Sequence, residues 1–171
     1  MIKKIYLDPY IFIGISLLAM VGVLILFSAS EGDTAIVFKQ SIYVVLGLIL
    51  FLFVSQPDPD VYRRFSPIIL FVTLVLVFIA YFFGPEINGA RRWIRLFGFS
   101  FQPSEILKIS LPLFLASFLF DKKLPINAKQ TAISIFFISA CFLSVYIQPD
   151  LGTGLLIAAS GFLVLFLAGL S

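Results

Sequence analysis

The sequence predicts an all-α, polytopic membrane protein of about six transmembrane helices, in a single transmembrane domain over residues 1–171. Two observations carry this. The first is composition: of 171 residues 61% are hydrophobic and 12% charged, and the mean hydropathy is +1.11. A soluble domain carries about a quarter charged residues, so the surplus apolar surface has lipid as its natural solvent. The second is pattern: the apolar residues fall into runs at about 10–30, 36–55, 67–83, 104–120, 131–147 and 152–170. Each run is close to the roughly 17 to 25 residues that a helix needs to cross the hydrocarbon. Strands are excluded, because they run to about 4 to 8 residues and an open sheet in lipid leaves backbone groups unpaired.

The first run follows Lys3 and Lys4 and ends in Ser28-Ala29-Ser30, which has the outline of a signal peptide. It is longer than the roughly 7 to 15 apolar residues of such a segment, and is read as a span. Between the third and fourth runs lies a loop at 84–103, with Asn88-Gly89 as a tight turn followed by Arg91, Arg92, Trp93 and Arg95. The fourth run opens on Gln102-Pro103-Ser104-Glu105 and contains Pro112. The fifth holds Cys141, and Gln148-Pro149-Asp150-Leu151-Gly152-Thr153-Gly154 leads into the sixth. Gln-Pro recurs at 56, 102 and 148. One span separates the first pair of sites and two the second, so the even spacing is read as chance rather than as a repeat.

Charge sets the orientation. With the N-terminus cytoplasmic, the inner side receives Lys3, Lys4, Arg63, Arg64, Lys122, Lys123 and Lys129, and the outer side Lys39, Arg91, Arg92 and Arg95. Seven against four agrees with the positive-inside tendency, and three of the four exceptions belong to the 84–103 loop. A net charge of +3 gathered in short clusters beside apolar runs argues against nucleic acid as a partner. The chain has one cysteine and no histidine. That excludes a disulfide framework and a metal site built on either residue, and leaves carboxylates, lysine or tyrosine for proton transfer.

The candidate chemistry lies at the outer ends of the last three runs. Gln-Pro-Ser-Glu reads as a helix start, with proline in the first turn and a carboxylate near the positive end of the dipole. Capping alone would account for it. Lys108, however, lies three residues after Glu105 on the same face and one turn deeper. An ionisable pair at that depth is costly and points to function, the alternative being a salt bridge that fixes helix packing. Pro112 removes the N–H that would bond the Lys108 carbonyl. Asp150 sits on the same side of the membrane, beside glycines and Thr153 that permit close approach and local hydrogen bonds. The arginine fork suits phosphate oxygens and tryptophan favours the headgroup layer. Those features fit a phosphorylated lipid, and equally general contact with anionic membrane lipids.

NGARRWIRLFGFSFQPSEILKISLPLFLA and YIQPDLGTGLLIAASGFLVLFLAGLS resemble the signature segments of the SEDS family, whose members include RodA, FtsW and SpoVE. The likeness extends to Asp8-Pro9, to Ser28-Ala29-Ser30 and to the run from Val61 to Pro67. Within the family the QPDLGTGLL and SGFLVLFLAGLS segments are most similar to RodA. The resemblance implies a multi-pass peptidoglycan glycosyltransferase of the bacterial inner (cytoplasmic) membrane, active in cell elongation and shape. Such an enzyme polymerises lipid II beside a class B penicillin-binding protein that supplies transpeptidation. It implies supporting catalytic roles for Glu105, Lys108 and Asp150, and substrate contacts from Arg91, Arg92, Trp93, Arg95, Gln102, Ser104 and Thr153. No cofactor is prescribed, though a divalent cation on the pyrophosphate is compatible with it.

Family members are longer and carry their catalytic aspartate in a large outer loop of the second half. The main base is therefore expected beyond Ser171, and the chain is expected to be a fragment or a truncated copy. Two other functions stay open at this point: a translocator of a lipid-linked precursor, which an intramembrane ion pair beside a broken helix also suits, and a noncatalytic scaffold for the partner.

Overall fold

A computed structural model describes residues 7–87, 89–96 and 99–169. Lys3, Lys4 and Asn88, on which the orientation and turn readings draw, lie outside the described residues. Six helices follow one another: α1 Pro9–Ala29, α2 Thr34–Val54, α3 Pro59–Phe83, α4 Pro103–Leu119, α5 Ala128–Tyr146 and α6 Leu151–Leu167. Between α3 and α4, where a loop is expected, stands a short antiparallel hairpin of β1 Ile94–Leu96 and β2 Phe99–Phe101. Four helices, α1, α2, α3 and α5, are long and apolar enough to cross a membrane. At 17 residues each, α4 and α6 stand at the lower end of spanning length.

The chain forms two compact units, Met1–Asp58 and Pro59–Ser171. The first is a helical hairpin. Asp8 caps α1 by accepting from the Tyr10 N–H at 2.8 Å, with Pro9 in the first turn. Asp33 caps α2 through the Ala35 N–H at 2.9 Å. Among the described residues neither helix has a buried side chain, and apart from Lys39, Gln40 and Ser41 near the start of α2 both are largely apolar, a pattern suited to lipid.

The second unit packs α3 to α6 around Leu70, Val77, Leu107, Leu111, Ile138 and Ile157. Gly161 makes the tightest seam: a Cβ there would stand 2.6 Å from Ile138 Cγ1 and 3.3 Å from Leu111 Cδ2, so only glycine lets α6 lie against α5 and α4. On α4 the Phe114 ring stacks on Phe118 at 6.3 Å and tilts against Phe137 at 4.6 Å. Asn127 and Gln130 close a reciprocal capping box at the start of α5.

Helix α3 starts at Pro59, earlier than the expected 67, and runs through Pro67. Hydrogen bonding explains why the proline does not end it. The N–H missing at Pro67 would have met the carbonyl of Arg63. That oxygen instead accepts the hydroxyls of Ser66 and, from α4, Ser117, each at 2.9 Å. The hydrophobic run alone points to the later start, because Asp60, Arg63 and Arg64 are polar; the helix includes them as its first turns, with Arg63 and Asp60 paired at 3.2 Å.

Candidate functional site

The loop after α3 folds back onto the helix that it leaves. At Gly84 a Cβ would collide with the carbonyls of Ala80 and Trp93, so a side chain there would push the returning backbone away. Ile87 and Ala90 then form an isolated bridge around Gly89, which takes a φ of 74°. In the hairpin Ile94 pairs with Phe101 and Arg95 with Ser100, which brings the chain to Gln102 and the first turn of α4.

Arg92 closes this end of the four-helix unit. Its Nε donates to the Gln148 carbonyl at 3.0 Å and its terminal nitrogen to the Pro149 carbonyl at 2.9 Å. The same guanidinium lies 3.5 Å from Asp150 Oδ2. A cation placed on the last carbonyls after α5 also meets the negative end of that helix. Asp150 is engaged on both oxygens. Oδ1 accepts the Thr153 N–H at 3.2 Å and so caps α6, while Oδ2 accepts the Gln102 amide at 3.1 Å. Only 12% of the Asp150 side chain is exposed. The Gln102 amide also donates to Ser104 Oγ at 2.9 Å, and Ser104 is buried.

Of the residues implicated by sequence, Arg92, Gln102, Ser104, Asp150 and Thr153 thus meet in one hydrogen-bonded cluster. Others stand apart. Arg91 pairs with Glu86 at 3.6 Å. Arg95 lies on β1 in a separate groove beside Ile79 and Phe83. Trp93 is half-buried, with its carbonyl against Gly84. Glu105 does not complete a capping box at the α4 terminus; its carboxylate takes the Lys108 ammonium at 2.8 Å, and this pair is itself half open, at 56% and 28% exposure. Pro112 lies inside α4 as expected.

Gln148 belongs to the cluster and escaped the sequence reading. It is 2% exposed, and its amide donates to the Val77 carbonyl at 2.8 Å, tying the α5–α6 turn to α3. The recurring Gln-Pro was a usable signal. Gln102 and Gln148 both stand before a proline at helix ends that meet at Asp150, although Gln56 has no such place in the cluster.

Chemically, the cluster is one oriented cation, Arg92, with the amides of Gln102 and Gln148 and one carboxylate, and the Glu105–Lys108 pair lies further along α4. The donors of the cluster are engaged within the protein, so it ties together the ends of three elements. Among the described residues no group of acidic, cysteine or histidine side chains is arranged to hold a metal.

Residues 8–171 match the family described as cell cycle proteins of the FtsW, RodA and SpoVE type. The chain belongs to this FtsW/RodA/SpoVE family. It is 36% identical over 168 residues to the peptidoglycan glycosyltransferase MrdB of Escherichia coli K12, a match that covers 98% of this chain and 45% of that protein. It is 33% identical to the stage V sporulation protein E of Bacillus subtilis 168, covering 98% of this chain and 49% of the relative. The fold agrees with the crystal structure of the rod shape determining protein RodA of Thermus thermophilus, with a TM-score of 0.84 at 28% identity, over 92% of this chain and 52% of that one. A chain from the structure of a peptidoglycan synthase complex that coordinates polymerization and crosslinking gives a TM-score of 0.82, over 91% of this chain and 46% of that one. This FtsW/RodA/SpoVE chain therefore spans about half the length of the curated relatives it matches. Its apolar helices and its relatives make it a polytopic membrane protein.

Proposed function

We propose that the chain is the N-terminal half of a peptidoglycan glycosyltransferase of the RodA type, which polymerises lipid II during cell elongation beside a class B penicillin-binding protein. Its place is the bacterial cytoplasmic membrane, with the N-terminus inside and the hairpin outside. In the reaction a hydroxyl of the acceptor sugar attacks the anomeric carbon of the donor, undecaprenyl pyrophosphate departs, and a carboxylate beyond Ser171 removes the proton. The residues present here supply positioning and charge. Lys108, oriented by Glu105, neutralises the departing pyrophosphate, and Arg91 and Arg95 face the headgroup layer. Arg92, Gln102 and Asp150 hold the scaffold on which these groups stand. A divalent cation on the pyrophosphate is compatible with this reading.

The observation that carries this reading is the convergence of the α3–α4 loop, the start of α4 and the α5–α6 turn on Arg92 and Asp150, in a chain 36% identical to a relative named for this activity. The test uses the longer protein that contains this sequence, purified with its penicillin-binding partner and supplied with lipid II. Glycan strands are expected on a gel, and their absence would defeat the reading. Lipid II flipping in liposomes by this chain, lost on Lys108→Ala, would favour the translocator instead.

A further inference from the structure

The end of the four-helix unit remote from Arg92 joins the start of α3 to the end of α4. Between them lies a groove of about 200 Å³, lined on α3 by Asp60 and Arg63 and on α4 by Leu113, Ala116 and the C-cap Phe120. None of these residues belongs to the cluster around Asp150.

Its floor is apolar and its rim is basic. Leu113, Ala116 and Phe120 follow one another at three- and four-residue spacing, so they share a face of α4, and the small exposed Ala116 leaves the space between the larger two. The Arg63 guanidinium lies over the Phe120 ring, 4.1 Å from its centre. That contact uses the face of the guanidinium and leaves N–H groups for an oxygen ligand. Its ion-pair partner among the described residues is Asp60, at 3.2 Å through one nitrogen, and the carboxylate is 74% exposed. Such an open pair is worth little and yields to a stronger anion. Arg64 stands four residues after Asp60, hence on the same face, and is exposed with no ion pair among the described residues. Two guanidiniums thus flank one carboxylate. Lys122 and Lys123 follow Phe120 and are exposed, so the field at this end is positive.

A positive rim over an apolar floor, where membrane helices end, selects an anionic amphiphile. A soluble anion would use the guanidiniums and leave Leu113 and Ala116 bare; a neutral lipid would do the reverse. We infer that Arg63, Arg64 and the groove between the start of α3 and the end of α4 form a site for an anionic glycerophospholipid of the surrounding membrane. Its phosphate meets the guanidiniums, and an acyl chain lies along Leu113 and Ala116. A lipid held in this way touches both helices and braces the contact that Ser117 already makes to the Arg63 carbonyl. The site does not depend on the glycosyltransferase reading; only its assignment to the inner leaflet rests on the orientation proposed above.

The longer protein that contains this sequence is purified in mild detergent and titrated with dioleoylphosphatidylglycerol or dioleoylphosphatidylcholine, and bound lipid is counted by native mass spectrometry. Phosphatidylglycerol is expected to be retained in preference. The double variant Arg63→Ala/Arg64→Ala should weaken its binding about twentyfold, from the usual contribution of two basic residues to an anionic lipid. Ala116→Phe, which fills the groove and keeps every charge, should also weaken it. Asp60→Asn removes the competing carboxylate and should tighten binding about threefold, a gain that a misfolded variant cannot mimic. Lys129→Gln takes one charge from the same end outside the groove and should bind like the parent. Equal retention of the two lipids by the parent, unchanged affinity in both the arginine double variant and Ala116→Phe, or weaker binding in Asp60→Asn would overturn the site. So would a loss in Lys129→Gln as large as in the arginine variant, which would mean net charge alone, or displacement of the lipid by a soluble polyglutamate peptide, which would assign the surface to an acidic protein segment. The titration needs no turnover, so a protein that makes no glycan yet holds the lipid through Arg63 sinks only the enzyme.

Discussion

The guanidinium of Arg92 stands 3.5 Å from the Asp150 carboxylate and also donates to the carbonyls of Gln148 and Pro149, so one loop side chain fastens the end of α5 to the start of α6. Its three contacts are charge-assisted and lie where less than a third of the side chain is exposed. Arg92→Ala should cost about 2 kcal/mol, as for a hydrogen-bonded charged group. Arg92→Lys should recover only part, because an ammonium cannot present the same fork. Denaturation in mild detergent of both variants, Asp150→Ala and the double variant gives the coupling; a cycle that closes to zero would show that the two side chains do not act together.

Ser117 and Pro67 make a second coupled pair, through the Arg63 carbonyl. Ser117→Ala should cost about 1 kcal/mol in the parent, the usual net value of a hydrogen bond. The cost should shrink in a Pro67→Ala background, where a restored helical N–H serves the same oxygen. Equal costs in both backgrounds would mean that the proline is not the reason for the inter-helix bond.

Packing at Gly161 is tested by Gly161→Ala, whose new methyl must displace Ile138. A loss of about 1 to 3 kcal/mol follows from overpacking. Gly152→Ala is the control, since nothing lies within 4 Å of its would-be Cβ, and its effect on the melting temperature should be small.

Lys108 separates stability from activity. Its partner Glu105 is more than half exposed, so the pair contributes less than about 1 kcal/mol to the fold. In the longer protein, Lys108→Ala should leave the melting temperature nearly unchanged while glycan synthesis falls about a hundredfold, the range seen when a group that stabilises developing charge is removed. Full activity in that variant would remove Lys108 from the chemistry.

The helices were legible because apolar runs of membrane length permit little else, and Asp150 and Gln102 were legible because each stands before or at a helix start. The α3 start was not, because hydropathy marks where a helix enters lipid and is blind to polar turns before it. The hairpin was not, because Ile94–Leu96 and Phe99–Phe101 are too short to show an alternating pattern. Arg92 and Arg95 look alike in sequence, yet one is locked into the fold and the other faces a groove. What divides them is the path of the backbone at Gly84, which no local propensity encodes. Gln148 was passed over because glutamine beside proline reads as a turn, and its value lies in a carbonyl of Val77 that is 71 positions away.

Helix α3 is pinned near both extremities through its own carbonyls, by Ser117 at Arg63 and by Gln148 at Val77. Sliding it along its axis by one residue, about 1.5 Å, would break both attachments at once. Helices α3 to α6 are therefore geared together and travel as a block.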